Sequence, residues 1–534
     1  MEKFDLIIIG GGAGAFAAAI KANELGAKTL MVNHGLPLGG TCVNVGCVPS
    51  KKLLWAGEVM HQAKHHGIPG IDIEVKGFDF QKVVQDELDL VEKLRKEKYE
   101  KVLKHLEHVT HVEGRAEFVS KNEVEIVLIK SNHHRHSGNS ERSVEASRIS
   151  NGDKRFWTSS PRCSFGEAGQ NDEIEMTFQT GSKPQKVQSK KFIIAAGSTA
   201  TVPPIENIRE VGFITHIEAL KLEQQPKELT VIGAGPVGLE FAQMYSRFGT
   251  KVTILHRGSS IFRGEEELIT RLTEILTNEG ITIKTNVQVK STRKEGGKKV
   301  VSYIIDGKKE EVSGDEILLA TGKTPNTQKL GLDKAGVDVD PSTHSASSGQ
   351  DGSGQAIKVN PQFQTSQPHI FAVGDVTNAP LRLEPTAGRE GTLAAENALN
   401  GTKNSIDYDA VPWTIFTDPQ LAGVGLTEDE QMKRLKVCAC RTVSFSDIPK
   451  AMTMRRTEGL IKMAIHPETK QIMGVHILAP NASELIAEAM VLIKNKNTID
   501  DVVNSLPMFP TLSESIKIAA LSFTKDISKL SCCI

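Results

Sequence analysis

The stretch that decides the fold is FDLIIIGGGAGAFAAAIKANELGAKTLMVN, residues 4–33. It opens with a short apolar run bounded by glycines, which predicts a buried strand. An alanine-rich segment follows and closes at Gly26, which predicts a helix, and the final KTLMVN predicts the next strand. Strand, helix and strand in this order predict a βαβ unit with two parallel strands.

The glycines of this unit predict a dinucleotide site. Gly10, Gly12 and Ala15 fit the pattern G-x-G-x-x-G/A. Gly10 permits a tight turn, Gly12 lets the backbone approach a pyrophosphate, and Ala15 keeps the helix close to the strand. The phosphates are then expected at the helix N-terminus. The strand end that commonly carries a ribose-binding carboxylate carries Asn33, whose amide is expected to bind a hydroxyl more weakly.

A second unit of the same kind occupies residues 229–257, LTVIGAGPVGLEFAQMYSRFGTKVTILHR. It repeats the order of strand, glycine-rich turn, helix, glycine and strand. Gly233, Gly235 and Gly238 give a complete G-x-G-x-x-G. Two such units predict two dinucleotide-binding domains, as in an oxidoreductase that uses two nucleotides.

The end of the second unit favours NADPH over NADH. The position that often carries a carboxylate is His256, Arg257 follows it, and Arg263 lies a little further on. Without the carboxylate and with cations nearby, a 2′-phosphate is attracted rather than repelled. Solvated arginines with no ligand are the alternative interpretation.

The composition is that of a globular chain of two to four domains, with 534 residues, 39% hydrophobic and 24% charged. Lys and Arg number 64 against 65 Asp and Glu, so the net charge of −1 gives no sign of a nucleic-acid partner. The apolar runs are too short for a membrane span, and no cleavable signal pattern precedes the first strand. The sequence therefore predicts a soluble, cytoplasmic protein with no membrane partner.

The segment GGTCVNVGCVPSKKLL, residues 39–54, carries Cys42 and Cys47 with four residues between them. At the start of a helix this spacing brings both sulfurs within disulfide reach, and the helix N-terminus lowers a thiol pKa. A structural disulfide and half of a zinc site are the alternatives. A reducing compartment disfavours the first, and the lack of a matching downstream ligand pair in the sequence disfavours the second.

The segment GGTCVNVGCVPSK resembles the redox-active disulfide segment of the FAD-dependent pyridine nucleotide-disulfide oxidoreductases. This family includes dihydrolipoamide dehydrogenase, glutathione reductase and mercuric reductase. The resemblance covers nearly the whole chain except two apparent insertions, residues 131–183 and 341–354. Four more stretches resemble family motifs: IIAAGS (193–198), LLATGKTPN (318–326), IFAVGDV (370–376) and VPWTIFTDPQLAGVG (411–425).

The resemblance implies an α/β fold with two Rossmann-like domains, for FAD and NADPH, plus a C-terminal α+β dimerisation domain. It also implies a homodimer whose active sites are shared between subunits. Residues 80–108, with charges on one face and Val and Leu on the other, predict a long amphipathic helix. The expected boundaries are 1–215 for the FAD domain (with 131–183 inserted), 216–325 for the NADPH domain, 326–409 for the return to the central domain, and 410–534 for the dimerisation domain.

The resemblance also implies residue roles. Cys47 is the sulfur against the flavin, and Cys42 is the outer sulfur that exchanges with substrate. Lys51 approaches flavin N5, and Glu240 lies at the nicotinamide stacking position, where it can contact Lys51. The implied FAD contacts are Gly10, Gly12, Ala15, Asn33, Thr41, Lys51 and Asp375. The implied NADPH contacts are Gly233, Gly235, Gly238, Arg257 and Arg263.

One position separates members of this family. Enzymes that act on dithiol or disulfide substrates carry a His-Pro pair near the C-terminus, and this histidine relays protons during thiol exchange. Here the segment MFPTLSESIK, residues 508–517, keeps Pro510 and Glu514 but has Phe509 at the histidine position. A phenyl ring cannot accept a proton, which argues against efficient turnover of lipoamide or glutathione disulfide.

The chain ends in KLSCCI, with adjacent Cys532 and Cys533, and this end resembles that of mercuric reductases. Hg(II) is soft and thiophilic, so it can pass from one dithiol to another by ligand exchange. The resemblance implies that Cys532 and Cys533 capture Hg(II), presented as a thiol complex, and pass it to Cys42 and Cys47 of the other subunit. The implied reaction is NADPH- and FAD-dependent reduction of Hg(II) to Hg(0).

Two alternatives stay open. The first is an FAD-dependent disulfide reductase that acts on an unusual low-molecular-weight disulfide. The second is a protein that sequesters soft metals through its thiol pairs without turnover. Cys438 and Cys440 are expected to lie in a partly buried strand without a metal role, and the HHRH cluster at 133–136 is expected to be a solvated loop.

Overall fold

A computed structural model describes residues 2–128, 184–340 and 355–531. Both predicted insertions, the histidine cluster at 133–136, and the terminal Cys532 and Cys533 lie outside the described residues. Across the three described ranges, no helix is long and apolar enough to cross a membrane.

The strands, in chain order, are β1 (Glu2–Ile9), β2 (Thr29–Asn33), β3 (Val109–Ser120), β4 (Glu123–Leu128), β5 (Gln185–Ile194), β6 (Ser198–Ala200), β7 (Glu228–Ile232), β8 (Lys251–Leu255), β9 (Thr282–Lys284), β10 (Gln288–Glu295), β11 (Lys298–Ile305), β12 (Lys308–Gly314), β13 (Glu316–Leu319), β14 (Lys323–Pro325), β15 (Val339–Asp340), β16 (Ala356–Ile357), β17 (Ile370–Ala372), β18 (Trp413–Ile415), β19 (Gln420–Gly425), β20 (Ala439–Ser444), β21 (Leu460–Ile465) and β22 (Ile472–Ala479). The α-helices are α1 (Ala13–Glu24), α2 (Gly40–Val45), α3 (Cys47–His65), α4 (Phe80–Arg95), α5 (Lys101–Leu103), α6 (Ile208–Val211), α7 (His216–Ala219), α8 (Pro236–Arg247), α9 (Glu266–Asn278), α10 (Leu332–Ala335), α11 (Glu384–Asn400), α12 (Glu428–Leu435), α13 (Pro449–Met454), α14 (Ala482–Lys494), α15 (Ile499–Val503) and α16 (Glu514–Leu521).

The first sheet contains the N-terminal βαβ unit. Its parallel strands lie in the order β3-β2-β1-β5-β17, which is the 3-2-1-4-5 order of dinucleotide-binding folds. Strand β4 pairs antiparallel with β3 and β5. Leu6 and Ile8 pack in the core beneath α1 and α11, whereas Ile7 and Ile9 pack in the core on the other face. Burial on both faces explains why this strand is a continuous apolar run.

Helices α1 and α11 cross at two glycines. A Cβ at Gly391 would overlap the carbonyl oxygen of Gly14, and a Cβ at Gly14 would lie 3.1 Å from the carbonyl oxygen of Ala387. The two backbones therefore touch without side chains between them. This contact places α11, and the β17 end that precedes it, beside the first glycine-rich turn.

The second sheet contains the other βαβ unit, with parallel strands in the order β13-β7-β8-β9. An antiparallel sheet of β10, β11 and β12 packs beside it. The short strands β6 and β14 pair with each other and join the first unit to the second.

The third sheet is antiparallel, in the order β18-β19-β22-β21-β20. Helices α14 and α16 pack against it through a continuous apolar core. Together with the two parallel sheets, this confirms the predicted α/β fold with a C-terminal α+β region. The exact domain boundaries given above stay predictions.

The amphipathic helix predicted at 80–108 ends earlier than expected. Helix α4 continues through a π-helical turn, Lys96–Glu100, into α5, which ends at Leu103. The chain then turns, because Leu106 packs in the same core as Leu103 and the backbone must enter β3 at Val109. The prediction of an amphipathic helix was therefore correct, but residues 104–108 belong to this turn and not to the helix.

A buried ion cluster joins the second unit to the third sheet. The Nζ of Lys462 lies 2.9 Å from Glu265, 2.9 Å from Glu267 and 2.7 Å from Glu428. The side chains of Lys462 and Glu265 are each only 5% exposed. Three carboxylates satisfy the three N–H donors of this ammonium group, which offsets the cost of burying its charge.

Candidate functional site

The first glycine-rich turn is shaped for close backbone approach. Gly10 has φ +136°, and a Cβ there would overlap the carbonyl oxygen of Ala195 at the end of β5. A Cβ at Gly40 would lie 2.6 Å from the Cα of Gly12, so the start of α2 touches the start of α1. Ala15 is fully buried where α1 packs on the sheet. The turn therefore leaves the N-terminus of α1 open to a ligand.

A cavity of about 1040 Å³ runs from this turn. Among the sequence-predicted FAD residues, Gly10, Gly12, Asn33 and Thr41 line it. Ala15, Lys51 and Asp375 are not part of its lining. Asp375 is nevertheless tied to it, because its Oδ2 accepts a 2.6 Å hydrogen bond from Ser198, which does line the cavity.

This cavity fits a dinucleotide. It combines a glycine turn and a helix N-terminus, which bind phosphates, with an amide at the end of β2. Further along, Ser198 and Asn326 add polar groups to the lining. The volume and this donor set fit FAD.

The end of β2 carries a hydrogen-bonded pair that sequence reasoning missed. The Nδ2 of Asn33 donates to the carbonyl oxygen of Leu36 at 2.9 Å and to the two carboxylate oxygens of Glu113 at 3.2 and 3.3 Å. Because Nδ2 is held this way, Oδ1 of Asn33 lies over Gly11, where a Cβ would overlap it. Glu113 belongs to β3, so a carboxylate from the neighbouring strand orients the amide.

Cys42 and Cys47 lie on two consecutive helices. Cys42 is in α2, and Cys47 is the first residue of α3. Gly46 separates the helices, and a Cβ there would lie 2.8 Å from the carbonyl oxygen of Thr41. This sharp turn brings the two thiols, which we call the inner pair, into hydrogen-bond contact. Both are free thiols.

The inner pair is electrostatically asymmetric. The hydrogen bond from the Cys42 thiol, helped by the cations of Lys51 and Lys323, lowers the pKa of Cys47 to about 7 against the opposing effect of partial desolvation, although the Cys47 side chain remains exposed. The same hydrogen bond, together with burial, raises the pKa of Cys42 far above its ordinary value. At pH 7 about half of the molecules therefore carry a thiolate on Cys47, while Cys42 keeps its proton.

Lys51 and Glu240 meet beside the inner pair, a contact that the family resemblance implied. The Lys51 Nζ lies 2.8 Å from Oε2 of Glu240 and 4.4 Å from the ring centroid of Phe416. Oε1 of Glu240 accepts a 2.9 Å hydrogen bond from the backbone N–H of Phe416. Glu240 is 4% exposed, and its two oxygens are both satisfied.

Two further charged or polar groups face the inner pair and were not predicted. Burial, helped by the nearby charges of Glu384 and Cys47, raises the pKa of Tyr99 to about 12, so its phenol stays protonated at neutral pH. The Tyr99 ring stacks edge-to-face on Phe16, with centroids 5.1 Å apart. Glu384, the first residue of α11, opposes the lowering of the Cys47 pKa. Neither residue carries a local sequence motif.

The second glycine-rich turn repeats the geometry of the first. Gly233 has φ +109°, and a Cβ there would overlap the carbonyl oxygen of Ala320; a Cβ at Gly238 would overlap that of Gly233. Gly235 is the N-cap of α8, and a Cβ there would meet no neighbour. This turn is therefore also open at a helix N-terminus.

His256 packs on this second turn. Its Nδ1 accepts a 3.2 Å hydrogen bond from the backbone N–H of Ala234. Burial, with the charge of Arg257, lowers the pKa of His256, so the ring is neutral at pH 7. Arg257 and Arg263 are exposed on the loop after β8. The residue in the acidic position thus supports the turn, while the two arginines remain at the surface.

The loop before α16 exposes apolar side chains. Leu506 is 94% exposed, Met508 76% and Phe509 43%. Glu514 is buried, and its Oε2 accepts a 3.1 Å hydrogen bond from the backbone N–H of Thr511. Phe509 is therefore presented outward, with its loop fixed by Glu514.

Cys438 and Cys440 are half-buried, and their sulfurs are joined as a disulfide pair. Cys440 lies in β20, as predicted, and Cys438 immediately precedes that strand. In the parts of the chain that the structure describes, no group of three or more His, Cys, Asp and Glu side chains is arranged to hold a metal ion.

Comparisons with known proteins agree with this geometry. Residues 4–398 match the pyridine nucleotide-disulphide oxidoreductase family, and residues 411–520 match its dimerisation domain. A mercuric reductase of Staphylococcus aureus is 32% identical over 531 residues, which cover 99% of this chain and 84% of that protein. A mercuric reductase of Streptomyces lividans is 33% identical over 531 residues, covering 99% and 98%.

Among solved structures, the Cu(II) complex of the HOCl-induced flavoprotein disulfide reductase RclA from Escherichia coli superimposes with a TM-score of 0.76 at 23% identity. The match covers 98% of this chain and 100% of that one, and at this identity it shows the fold alone. The family matches and the relatives of similar length show the family as well as the fold. The chain belongs to the pyridine nucleotide-disulphide oxidoreductase family and is an oxidoreductase that uses a flavin and a pyridine nucleotide.

Proposed function

We propose that this protein is an NADPH- and FAD-dependent mercury(II) reductase, which reduces Hg(II) from a thiol complex to Hg(0). The observation that carries the proposal is the combination of an inner dithiol with Phe509, an exposed side chain without a base, on the loop before α16. Disulfide exchange needs a proton relay, whereas ligand exchange on Hg(II) does not. Full-length similarity to mercuric reductases supports the same substrate.

FAD would be held in the cavity of the first unit. We assign the pyrophosphate to the turn at Gly10 and Gly12, with Ala15 keeping α1 close, and the ribose to Asn33. Thr41, Lys51 and Asp375 are assigned to the flavin half. Bound FAD would supply hydride acceptance from the nicotinamide and electron transfer towards the thiols and the metal.

The inner pair would bind Hg(II) by exchange with two incoming thiolate ligands. The Cys47 thiolate and the Cys42 thiol replace both ligands, which leave as one thiolate and one thiol, so protons and charge balance. The low pKa of Cys47 provides the first sulfur at neutral pH without a general base. Glu240 holds Lys51 beside this thiolate and so maintains the cation that stabilises it.

For the second nucleotide, the turn of Gly233, Gly235 and Gly238 would bind the pyrophosphate of NADPH. Arg257 and Arg263, both exposed after β8, are assigned to its 2′-phosphate. Electrostatic attraction of this kind predicts a lower KM for NADPH than for NADH, and a dependence on ionic strength.

We further propose a cytoplasmic homodimer in which Cys532 and Cys533 of one subunit deliver Hg(II) to the inner pair of the other. The match of residues 411–520 to the dimerisation domain supports the dimer. Two adjacent thiols suit delivery, because Hg(II) prefers two thiolate ligands and passes between dithiols by ligand exchange.

The deciding experiment is anaerobic NADPH oxidation by the purified holoenzyme with Hg(II) in excess thiol, with mercury measured in the headspace. Volatile mercury in proportion to NADPH oxidised is expected. NADPH loss only with an added disulfide would assign a disulfide reductase instead, and metal binding without NADPH loss would assign a sequestering protein.

The role of the chain end is tested separately with Cys532→Ala/Cys533→Ala. This variant is expected to reduce Hg(II) more slowly under thiol competition while its flavin is still reduced by NADPH at the normal rate. Cys163→Ala is the matched control and is expected to keep full activity. Equal activity of the two variants would remove the delivery role.

A further inference from the structure

We propose that Cys438 and Cys440, in their reduced form, are a second soft-metal site that binds one Hg(II) ion per subunit. We call them the C-x-C pair. They are separate in the fold from the inner pair, since they lie at the edge of the third sheet rather than beside the first.

The chain at the start of β20 places both thiols on one side. Residues two apart on an extended chain point to the same face, and the Cα atoms of Cys438 and Cys440 are 6.3 Å apart with their sulfurs turned towards each other. Two sulfurs that can meet in this way can also share a metal ion that prefers two thiolate ligands. The pairing itself is therefore the observation that distinguishes this site from two unrelated cysteines.

The C-x-C pair is accessible. β20 is the outermost strand of the order β18-β19-β22-β21-β20, and among the described residues it pairs on one side only, with β21. Both cysteines are half-buried, whereas Lys436 and Val437, immediately before them, are exposed. A small thiol complex can reach the two sulfurs without any opening of the core.

The local charge favours thiolates. Lys436 and Arg441 flank the pair, and both are exposed. The Nη1 of Arg441 donates a 2.9 Å hydrogen bond to the carbonyl oxygen of Cys440, which holds this cation at the backbone of the pair. Nearby cations lower thiol pKa values and increase the fraction of the metal-binding form.

The residues that alternate with the pair contact the last segment that the structure describes. The Arg441 guanidinium lies 5.6 Å from the ring centroid of Phe523, and Ala439, Phe523 and Ile527 pack on the same core. In the sequence Ile527 precedes Cys532 by five residues. Ala439 and Arg441 alternate with the pair along the chain, so they contact the segment that precedes the terminal cysteines, whereas Cys440 lies on the opposite face of the strand.

Binding begins with reduction by a low-molecular-weight thiol, since the two sulfurs form a disulfide here. Two thiols reduce the C-x-C disulfide to a dithiol and become one small disulfide themselves. The dithiol then exchanges with a mercury dithiolate complex, forming two S–Hg bonds and breaking two. The two protons of the dithiol leave with the released ligands as two thiols, and no electrons move in this second step.

The test measures Hg(II) retention, which needs no turnover, so its failure is distinguishable from failure of the proposed reductase activity. A background variant with Cys42, Cys47, Cys532 and Cys533 all changed to Ser keeps only Cys163 and the C-x-C pair. It is reduced with excess glutathione, mixed with HgCl₂ and gel-filtered, and its mercury content is measured. About one Hg(II) per subunit is expected, with near-ultraviolet absorption from mercury–thiolate bonds.

Adding Cys438→Ser/Cys440→Ser should abolish this retention, whereas adding Cys163→Ser should not change it. The same difference of about one Hg(II) per subunit is expected between the wild-type chain and Cys438→Ser/Cys440→Ser alone, which covers the case of a poorly folded background variant. Equal retention with and without the C-x-C pair would overturn the proposal. So would a thiol titration in which the pair stays oxidised in excess glutathione, since that result assigns a structural disulfide.

Discussion

The ammonium group of Lys51 is shared between two anions, the carboxylate of Glu240 and the thiolate of Cys47. Its Nζ lies 2.8 Å from Glu240, and its charge contributes to the low pKa of Cys47. Lys51 follows Cys47 by one turn on α3, whereas Glu240 comes from α8 of the second unit. A charge change on the second unit is therefore expected to alter the chemistry of a thiol on the first.

Substitutions of Lys51 and of Glu240 are expected to shift the Cys47 pKa in opposite directions. Lys51→Met removes a cation, so the pKa should rise by about one unit from its value near 7. Glu240→Gln keeps an acceptor for the Phe416 N–H but removes the carboxylate charge that partly neutralises Lys51. The Lys51 cation then acts more strongly on Cys47, so the Cys47 pKa should fall. Because this pKa is depressed, the thiolate is present above it and is lost as pH falls through it.

The measurement is the pH dependence of Cys47 alkylation by iodoacetamide in the dithiol enzyme, with the site identified by peptide mass spectrometry. Lys52→Met is the control. Lys52 is the neighbouring cation, pairs with Asp86 at 2.5 Å and should leave the profile unchanged. Shifts in the same direction for both active variants would contradict the shared-charge explanation.

The Asn33–Glu113 pair predicts an effect on flavin affinity. Glu113→Leu removes the acceptor that orients the Asn33 amide, so the FAD dissociation constant should rise about tenfold, in line with a hydrogen bond to a charged group. Glu113→Gln keeps an acceptor and should change it less.

Titration of each apoprotein with FAD measures the FAD dissociation constants of Glu113→Leu and Glu113→Gln. Glu117→Leu on the same strand is the control, because Glu117 pairs with Lys334 at 2.7 Å, away from Asn33. If Glu113→Leu binds FAD as tightly as this control, the pair does not orient the ribose contact.

Phe509 predicts a gain of activity. Phe509→His places a base at the exposed position before Pro510, and general acid–base catalysis contributes about 10²-fold or more. NADPH-dependent reduction of lipoamide or glutathione disulfide should rise by about that factor, while Hg(II) reduction should not. Phe509→Tyr, which is similar in size but not a base at neutral pH, should show no such gain; an equal gain would argue for a packing effect.

The Lys462 cluster predicts a large stability loss. Lys462→Met leaves Glu265 buried without its cation, which should lower the free energy of unfolding by about 3 kcal/mol. Lys470→Met is the comparison, since Lys470 pairs with Asp500 at 2.9 Å but is half exposed, and it should cost less than about 1 kcal/mol. Urea unfolding of the holoenzyme gives both values, and similar costs would mean that burial does not strengthen the cluster.

Features that depend on adjacent residues were predictable from the sequence. The turn at Gly10 and the spacing of Cys42 and Cys47 follow from local backbone geometry, so the strand–turn–helix elements and the thiol contact appear where expected. The contact of Lys51 with Glu240 was accessible only through the family resemblance, because 189 residues separate them.

Features that depend on neighbouring strands were not predictable. Glu113 reaches Asn33 across the pairing of β2 with β3, and no local pattern marks it. Tyr99 faces the inner pair from a π-helical turn, where the helical register assumed from the sequence no longer holds. The sulfur contact of the C-x-C pair required knowing the path of the chain into β20.

The crossing of α1 and α11 limits how this chain can vary. At Gly391 the obstacle to a side chain is the backbone of Gly14, so no second substitution elsewhere can clear it. A larger residue would have to displace α1 as a whole, and with it the glycine turn at its start. A change in size at a surrounding alanine can be compensated by a change in a neighbouring side chain. Gly14 and Gly391 contact each other's backbone, so no such compensation is available to them. In a mutational scan of the whole chain, Gly391 should therefore tolerate no replacement, even by alanine, and should show no compensating partner.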